Sequence, residues 1–407
     1  MTELLIPEDL RQLAAVQAEH EQRLLALPNV VGVALGRKQA RGEDTATPCV
    51  TVLVDMKLDP ALLGRDELVP AKLGSTPTDV VEAGILQAGS SALAPPRTGE
   101  RTDLPGGDRD GWTGYPGSEP DTGAAAWQAL LSSLPPAEQA AVWRRRAAQA
   151  ELSGAPHARA AARVRPAVGG LSVGHVHGSA GTLGICCTDA LENRNGAGTA
   201  SGSPRFYLLS NNHVLADCND AAIGDPVLQP APADGGRAPA DVIARLARFV
   251  PIRFLPAGRA PHDPATVPVN HVDAAIAEGR FDQLDRRIHW IGEVSQADPA
   301  PRIGELLAKS GRATGRTTGR VRAVNATVTV NYPHGRVARF AKQIVADATL
   351  AAPGDSGAVA VDRQQRAAGL VFATSPTVSL LNPVPLVEHL LGVRIASPER
   401  EDRPAGR

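Results

Sequence analysis

Apolar and polar residues alternate in three rhythms along the chain, and each predicts a different kind of structure. From residue 7 to 27, Leu10, Leu13, Val16, Leu24 and Leu25 recur at helical spacing. Pro7 suits a first helical turn, with Glu8 and Asp9 near its positive end. Two strand patterns follow, Val30–Gly36 and Val50–Met56, and then a shorter one, Asp79–Ala83. Gly42, Pro60, Gly64, Pro70 and Pro77 break the stretches between them. Residues 1–87 are therefore expected to form a small α+β domain with a structural, assembly or substrate-docking role.

The rhythm is lost over residues 88–165, which read as a flexible linker with a helical insert. Residues 95–120 are rich in Pro, Gly, Asp and Thr. Residues 124–150 are helical in composition, with Trp127, Leu130, Leu131, Val142 and Trp143 as apolar positions. The run Arg144-Arg145-Arg146 reads as a solvated helix face.

From Arg165 onward, short strands punctuated by Gly and Pro take over, a pattern suited to β-barrels. Thr182–Cys187 and Phe206–Ser210 are predicted strands, with 189–204 an exposed connection. Residues 229–268, crowded with Pro and Gly, are expected to be a long surface loop. Thr327–Val330 and Val337–Val345 flank the turn Tyr332-Pro333-His334-Gly335. Ala358–Val361 and Ala368–Ala373 form another predicted hairpin, and residues 397–407 read as a polar tail.

Composition narrows the function classes. The 407 residues suffice for two or three domains. The net charge of −1 predicts no strong attraction to nucleic acid or to an anionic membrane. The N-terminus lacks a basic and then apolar leader pattern, and no run of about 18 apolar residues occurs. A cytoplasmic protein without a membrane partner is expected. Vicinal Cys186 and Cys187, with Cys49 and Cys218, follow neither a disulfide framework nor zinc-ligand spacing. His175 and His177 share one strand face but have no third ligand nearby in sequence, so no metal and no cofactor is expected.

The chemistry concentrates at Pro353-Gly354-Asp355-Ser356-Gly357. Flanking glycines allow a sharp turn that can aim the amides of Gly354 and Ser356 at one point, an oxyanion hole for attack by the Ser356 hydroxyl. The plain alternative is a glycine-rich hairpin loop with an incidental serine. A serine nucleophile needs a base. Among ten histidines, His213 stands where the apolar run Phe206–Ser210 ends in a polar turn. Asp273, a lone acid leading into Ala274-Ala275-Ile276-Ala277, is the candidate to fix its tautomer. The order His213, Asp273, Ser356 is that of the chymotrypsin template.

Leu209-Ser210-Asn211-Asn212-His213-Val214, Val272-Asp273-Ala274-Ala275-Ile276 and Pro353–Gly357 together resemble the three catalytic blocks of chymotrypsin-like serine proteases. The Asn-Asn-His-Val form is closer to the HtrA branch and other bacterial trypsin-like peptidases. Lys309-Ser310-Gly311-Arg312-Ala313-Thr314-Gly315 also resembles a segment common in bacterial members. With Asn29–Gly36, the chain is similar to a bacterial group related to the plant narrow-leaf protein.

The resemblance implies a mostly β fold: two six-stranded antiparallel β-barrels over residues 166–396, behind the α+β domain, with Leu386–Leu391 as a packed C-terminal helix. It implies a serine endopeptidase acting on polypeptides through His213, Asp273 and Ser356, with Asp355 structural. Leu350 would form the base of the specificity pocket and Ala373 and Thr374 its wall, favouring small or apolar residues before the cut bond. A disulfide often stands near the histidine in such enzymes, a place Cys187 and Cys218 could fill, although buried free thiols are the expected state. Trimers or larger rings are common among bacterial relatives, so a homo-oligomer is compatible with the resemblance. A silent peptide-binding module and an esterase remain the alternatives.

Overall fold

A computed structural model describes residues 5–40, 43–89, 160–190, 205–256 and 267–396. The expected linker and helical insert at 95–150, most of the 189–204 connection and the 397–407 tail lie outside the described residues.

The N-terminal elements follow the apolar rhythm. A 3-10 turn, Glu8–Leu10, leads into α1, Arg11–Leu25. The strands β1 (Val30–Ala40), β2 (Glu43–Val54), β3 (Lys72–Leu73), β4 (Thr76–Glu82) and β5 (Gln87–Ala88) come next. The middle of the chain supplies β6 (Ala167–Gly169), β7 (Ser172–His175), β8 (Gly181–Thr182), β9 (Ile185–Asp189) and β10 (Phe206–Ser210). One short helical turn, α2 (Asn212–Leu215), precedes β11 (Pro226–Leu228), β12 (Val242–Phe249), β13 (Val269–Asn270), β14 (Ala275–Gly279) and β15 (Leu284–Ile288). The C-terminal part holds β16 (Gln296–Ala297), β17 (Leu306–Gly311), β18 (Gly315–Asn331), β19 (Val337–Asp347), β20 (Val359–Val361), β21 (Arg366–Thr374) and β22 (Val378–Pro383). Helix α3 (Val384–Leu391) and β23 (Val393–Ile395) follow.

The fold is mostly β, and among the described residues the strands group into a 13-stranded sheet, an 8-stranded sheet and a 2-stranded pair. Within the largest sheet, β17, β18, β19, β22, β21 and β20 each pair with the next, and β20 returns to β17. Those pairings close a ring. The 8-stranded sheet runs β23-β9-β10-β14-β12-β11-β7-β8.

The 17-residue β18 is far longer than the 6-residue β17. β17 pairs with β18 only from Gly315 to Arg320, which leaves the rest of that edge open. β1 takes it over antiparallel, with Gly36 opposite Ala323 and Gly32 opposite Val328. β5 finishes it at Asn331. The N-terminal strands thus extend the same sheet, and their core is continuous with the ring. Leu13 and Leu24 of α1 and Val33 of β1 share one apolar cluster with Val321, Ile344 and Leu381. Gln17, buried in α1, donates to Asn325 O (2.9 Å) and ties the helix to β18.

The expectation of a long surface loop over 229–268 is corrected by β12. Pro and Gly crowd the two flanks, from Pro230 to Pro239 and from Pro251 to Pro268, and leave Val242–Phe249 free of both. From Val242 the chain alternates well enough to bury Ile243, Ala244 and Leu246, and β12 pairs with both β11 and β14.

Candidate active site

His213 lies in α2, directly after β10 leaves its sheet. Asparagines shape this turn: Asn211 Nδ2 donates to Asp273 O (2.7 Å), and Asn212 Nδ2 donates to Val250 O (2.8 Å). The backbone from β13 to β14 brings Asp273 to the same point. There Asp273 Oδ2 meets His213 Nδ1 at 2.6 Å, and Oδ1 accepts from the His213 amide at 3.2 Å. Both side chains are buried.

A buried carboxylate needs more than one donor. Tyr332 OH supplies a second to Oδ2, at 2.7 Å. Burial, and then the neighbouring Asp273 charge, pushes the Tyr332 phenol well above its ordinary 10.0, so it stays protonated and donates. The Asp273 amide in turn donates to Asn382 Oδ1 (3.0 Å), and Asn382 Nδ2 donates to Gln343 Oε1 (2.7 Å). An Asp carboxylate against Nδ1 holds the proton on that nitrogen and leaves a lone pair on Nε2. His213 Nε2 is buried and accepts from no described residue. It is an unused base.

Ser356 is 6% exposed and stands in the turn between Pro353 and β20. Its backbone carbonyl accepts from Thr182 N (2.7 Å) across the boundary between the two large sheets. Thr182 Oγ1 also donates to Gly354 O (3.1 Å). Gly354 and Gly357 have φ of 98° and 95°, the left-handed region that favours glycine. The amides of Gly354 and Ser356 donate to no described residue, unlike those of Asp355 and Gly357, which bond to Ala352 O and Val371 O.

Asp355 anchors this turn. It forms a fully buried ion pair with Lys309 Nζ (2.8 Å). Its Oδ1 accepts from the Ala313 and Thr314 amides (2.9 and 3.1 Å), and its Oδ2 from Thr314 Oγ1 (2.6 Å). Burial lowers the Lys309 pKa from its ordinary 10.5, and the facing Asp355 charge opposes that. The Lys309–Gly315 segment singled out in the sequence is therefore a cradle for the serine loop.

The structure brings His213 and Asp273 into contact. It does not join Ser356 to His213, because His213 Nε2 has no hydrogen-bond partner among the described residues. Ala373 and Thr374 lie on β21 and pair with β5. Leu350 is fully buried in the apolar cluster shared with α1 and β1, and its carbonyl accepts from Thr317 Oγ1. All four cysteines are free and buried, so Cys187 and Cys218 are not paired. Burial pushes the Cys218 thiol up to about 12 and keeps it neutral beside the site.

Tyr332, Asn382, Thr182 and the role of Lys309 were not read from the sequence. Only Lys309 carried a signal, its motif. His175 Nε2 lies 3.1 Å from Asp225 Oδ2, and because β7 ends at His175, His177 stands in the turn beyond it and does not share a strand face with it. Asp298, Glu305 and Asp362 come together, and the Arg366 guanidinium supplies their cation, 2.6 Å from Asp362 and 3.6 Å from Asp298.

No protein-family model matches the sequence, and no curated protein matches it. Among solved structures the chain is similar to a Nocardiopsis protease, at 19% identity over 56% of this chain and 98% of that one, with a TM-score of 0.36. It is similar to a glutamic acid specific serine protease described as using a histidine triad in substrate binding. There the identity is 19% over 56% of this chain and 100% of that one, with a TM-score of 0.37. A Cellulomonas bogoriensis chymotrypsin aligns at 16% identity over 56% and 98% of the two chains, with a TM-score of 0.34. Likeness at this level carries no argument about activity.

Proposed function

We propose that the protein is a serine endopeptidase of chymotrypsin-like architecture, with two antiparallel barrels and a polypeptide substrate. The observation that carries this reading is the state of His213. An aspartate is held on Nδ1, Nε2 is buried and unpartnered among the described residues, and the Gly354 and Ser356 amides of the serine loop donate to no described residue.

In the proposed mechanism the Ser356 hydroxyl attacks the peptide carbonyl, and its proton passes to His213 Nε2. Asp273 stabilises the imidazolium, and Tyr332 and the His213 amide keep that carboxylate aligned. The tetrahedral oxyanion is received by the Gly354 and Ser356 amides. His213 then protonates the leaving amine, which departs and leaves an ester on Ser356. Water attacks that ester, gives its proton to His213, and the acid product leaves as Ser356 recovers the proton. Ser356 Oγ must reach Nε2 for the first step, and catalytic hydrogen bonds commonly tighten only with substrate bound.

The test is labelling with a fluorophosphonate probe, comparing wild type with Ser356→Ala and His213→Ala. Labelling of wild type, lost in both variants, is expected. An unreactive wild type at every pH from 6 to 9 would move the silent peptide-binding module to first place.

A further inference from the structure

The place where a peptide would lie beside Ser356 is already taken, and the occupant belongs to the same chain. One edge of β21 is covered by β22 from Gly369 to Thr374. Along the other edge, β20 pairs as far as Leu370, and β5 pairs further on, at Ala373 and Thr374. The Ser356 turn falls between those two stretches, because Gly357 N donates to Val371 O (2.8 Å) and Val371 N to Ala358 O (2.9 Å).

Direction matters as much as place. β5 runs antiparallel to β21, with Gln87 opposite Thr374 and Ala88 opposite Ala373. Each residue further along the chain therefore moves one position nearer Val371 and the serine. Gly89 reaches the base itself: a Cβ built on it would stand 3.8 Å from His213 Cδ2. The opposite side of this short strand is held by β18, where Asn331 N donates to Leu86 O (2.9 Å).

This is how an extended peptide adds to a sheet, with main-chain bonds on its edges and alternate side chains in pockets. Leu86 and Ala88 are buried, 1% and 4% exposed, and pack with Tyr332, Phe372 and Ala373, while Gln87 between them faces solvent. Tethering raises the local concentration of such a strand to the millimolar range or so, against which a free peptide competes poorly.

We propose that Ile85–Gly89 is a tethered, substrate-mimicking strand that fills the peptide groove and keeps the Ser356 site closed, and that an external polypeptide must displace it. The inference rests on the endopeptidase reading above. It further defines the substrate class: an extended segment whose alternate residues fit the Leu86 and Ala88 pockets, a medium aliphatic side chain and then a small one.

The experiment uses the full chain and two variants, Gln87→Pro, which removes a strand amide, and Ala88→Arg, which cannot enter its pocket. Hydrogen exchange at the Asn331 amide reports whether the strand is seated, and the rate of fluorophosphonate labelling reports whether Ser356 is open. Protection of Asn331 in wild type is expected, lost in both variants together with an increase in labelling of about tenfold or more. An unprotected Asn331 in wild type overturns the seating of the strand. Equal labelling of wild type and both variants overturns the closure and leaves the endopeptidase reading standing. No labelling in any form, with Asn331 exposed in the variants, removes the endopeptidase reading and closure with it.

Discussion

Tyr332 and His213 share one carboxylate oxygen: Asp273 Oδ2 lies 2.7 Å from the phenol and 2.6 Å from the imidazole Nδ1. The two rings meet edge to face, with centroids 6.0 Å apart. The orientation of the base is thus set from two sides, by residues 119 positions apart in sequence. Removing the phenol oxygen in Tyr332→Phe leaves a buried carboxylate one donor short. We expect a loss of about 1–3 kcal/mol in stability. With Oδ2 held from one side only, the His213 ring is less firmly placed, so kcat for a peptide ester should fall while KM stays near its wild-type value. An unchanged kcat would show that Tyr332 serves packing only.

Asp273→Asn keeps the shape but turns a pure acceptor into a group that can donate to Nδ1. That places the imidazole proton on Nε2, where it cannot accept from Ser356. By analogy with the triad template, kcat for a peptide ester should fall by about 10⁴-fold, while Tm changes far less than turnover.

The Lys309–Asp355 pair is fully buried, so removal of one partner leaves an uncompensated charge. Lys309→Met should cost about 3–5 kcal/mol in denaturant unfolding and loosen the serine turn. The comparison is Arg280→Ala, which breaks a solvent-exposed pair with Asp282 and should leave the midpoint where it was.

Gly357 has no room for a side chain. A Cβ there would come within 2.1 Å of Ser210 Oγ and 2.2 Å of Thr182 O, on a backbone with φ of 95°. Gly357→Ala should lower Tm and abolish probe labelling, because relief of the clash pushes Ser356 away from the Thr182 strand. Retained labelling would count against the rigidity of this turn.

Asp298 offers a pH test remote from the site. Burial raises its pKa above the ordinary 3.8, and Arg366 only partly opposes this. Between the unfolded and folded values the folded state holds the extra proton, so stability falls as pH rises through that window. Asp298→Asn, which needs no proton to stay neutral, should therefore gain Tm relative to wild type as pH goes from 4 to 7. A difference that stays flat over that range would be the contrary result.

What the sequence disclosed was local. The polar turn at Asn211–His213, the acid before Ala274 and the Gly-Asp-Ser-Gly turn are each legible within a few residues, because glycine freedom and strand ends leave a pattern. The α1 stripe, the Tyr332–Gly335 turn and the Asp362 hairpin were legible for the same reason. Tyr332 read as a turn residue because nothing near it in sequence announces Asp273. β12 was hidden by the prolines on both sides of it, and its pairing with β11 and β14 brings it out as a strand. The pairing of β1 and β5 with β18 left no local sign at all. It depends on β18 outrunning β17, a difference in length between strands that meet only after folding.

That unequal length has a consequence for solubility. A β-strand with a free edge is a template for any other strand, its own copies included. Here β1 blocks the edge that β18 would otherwise present from Ala323 to Val328, and α1 covers the apolar face beside it. A shortened chain that begins after residue 89 would bare both at once. Its fate would be decided by aggregation before any question of catalysis arose, so the N-terminal strands act as the guard against self-association that the ring cannot supply for itself.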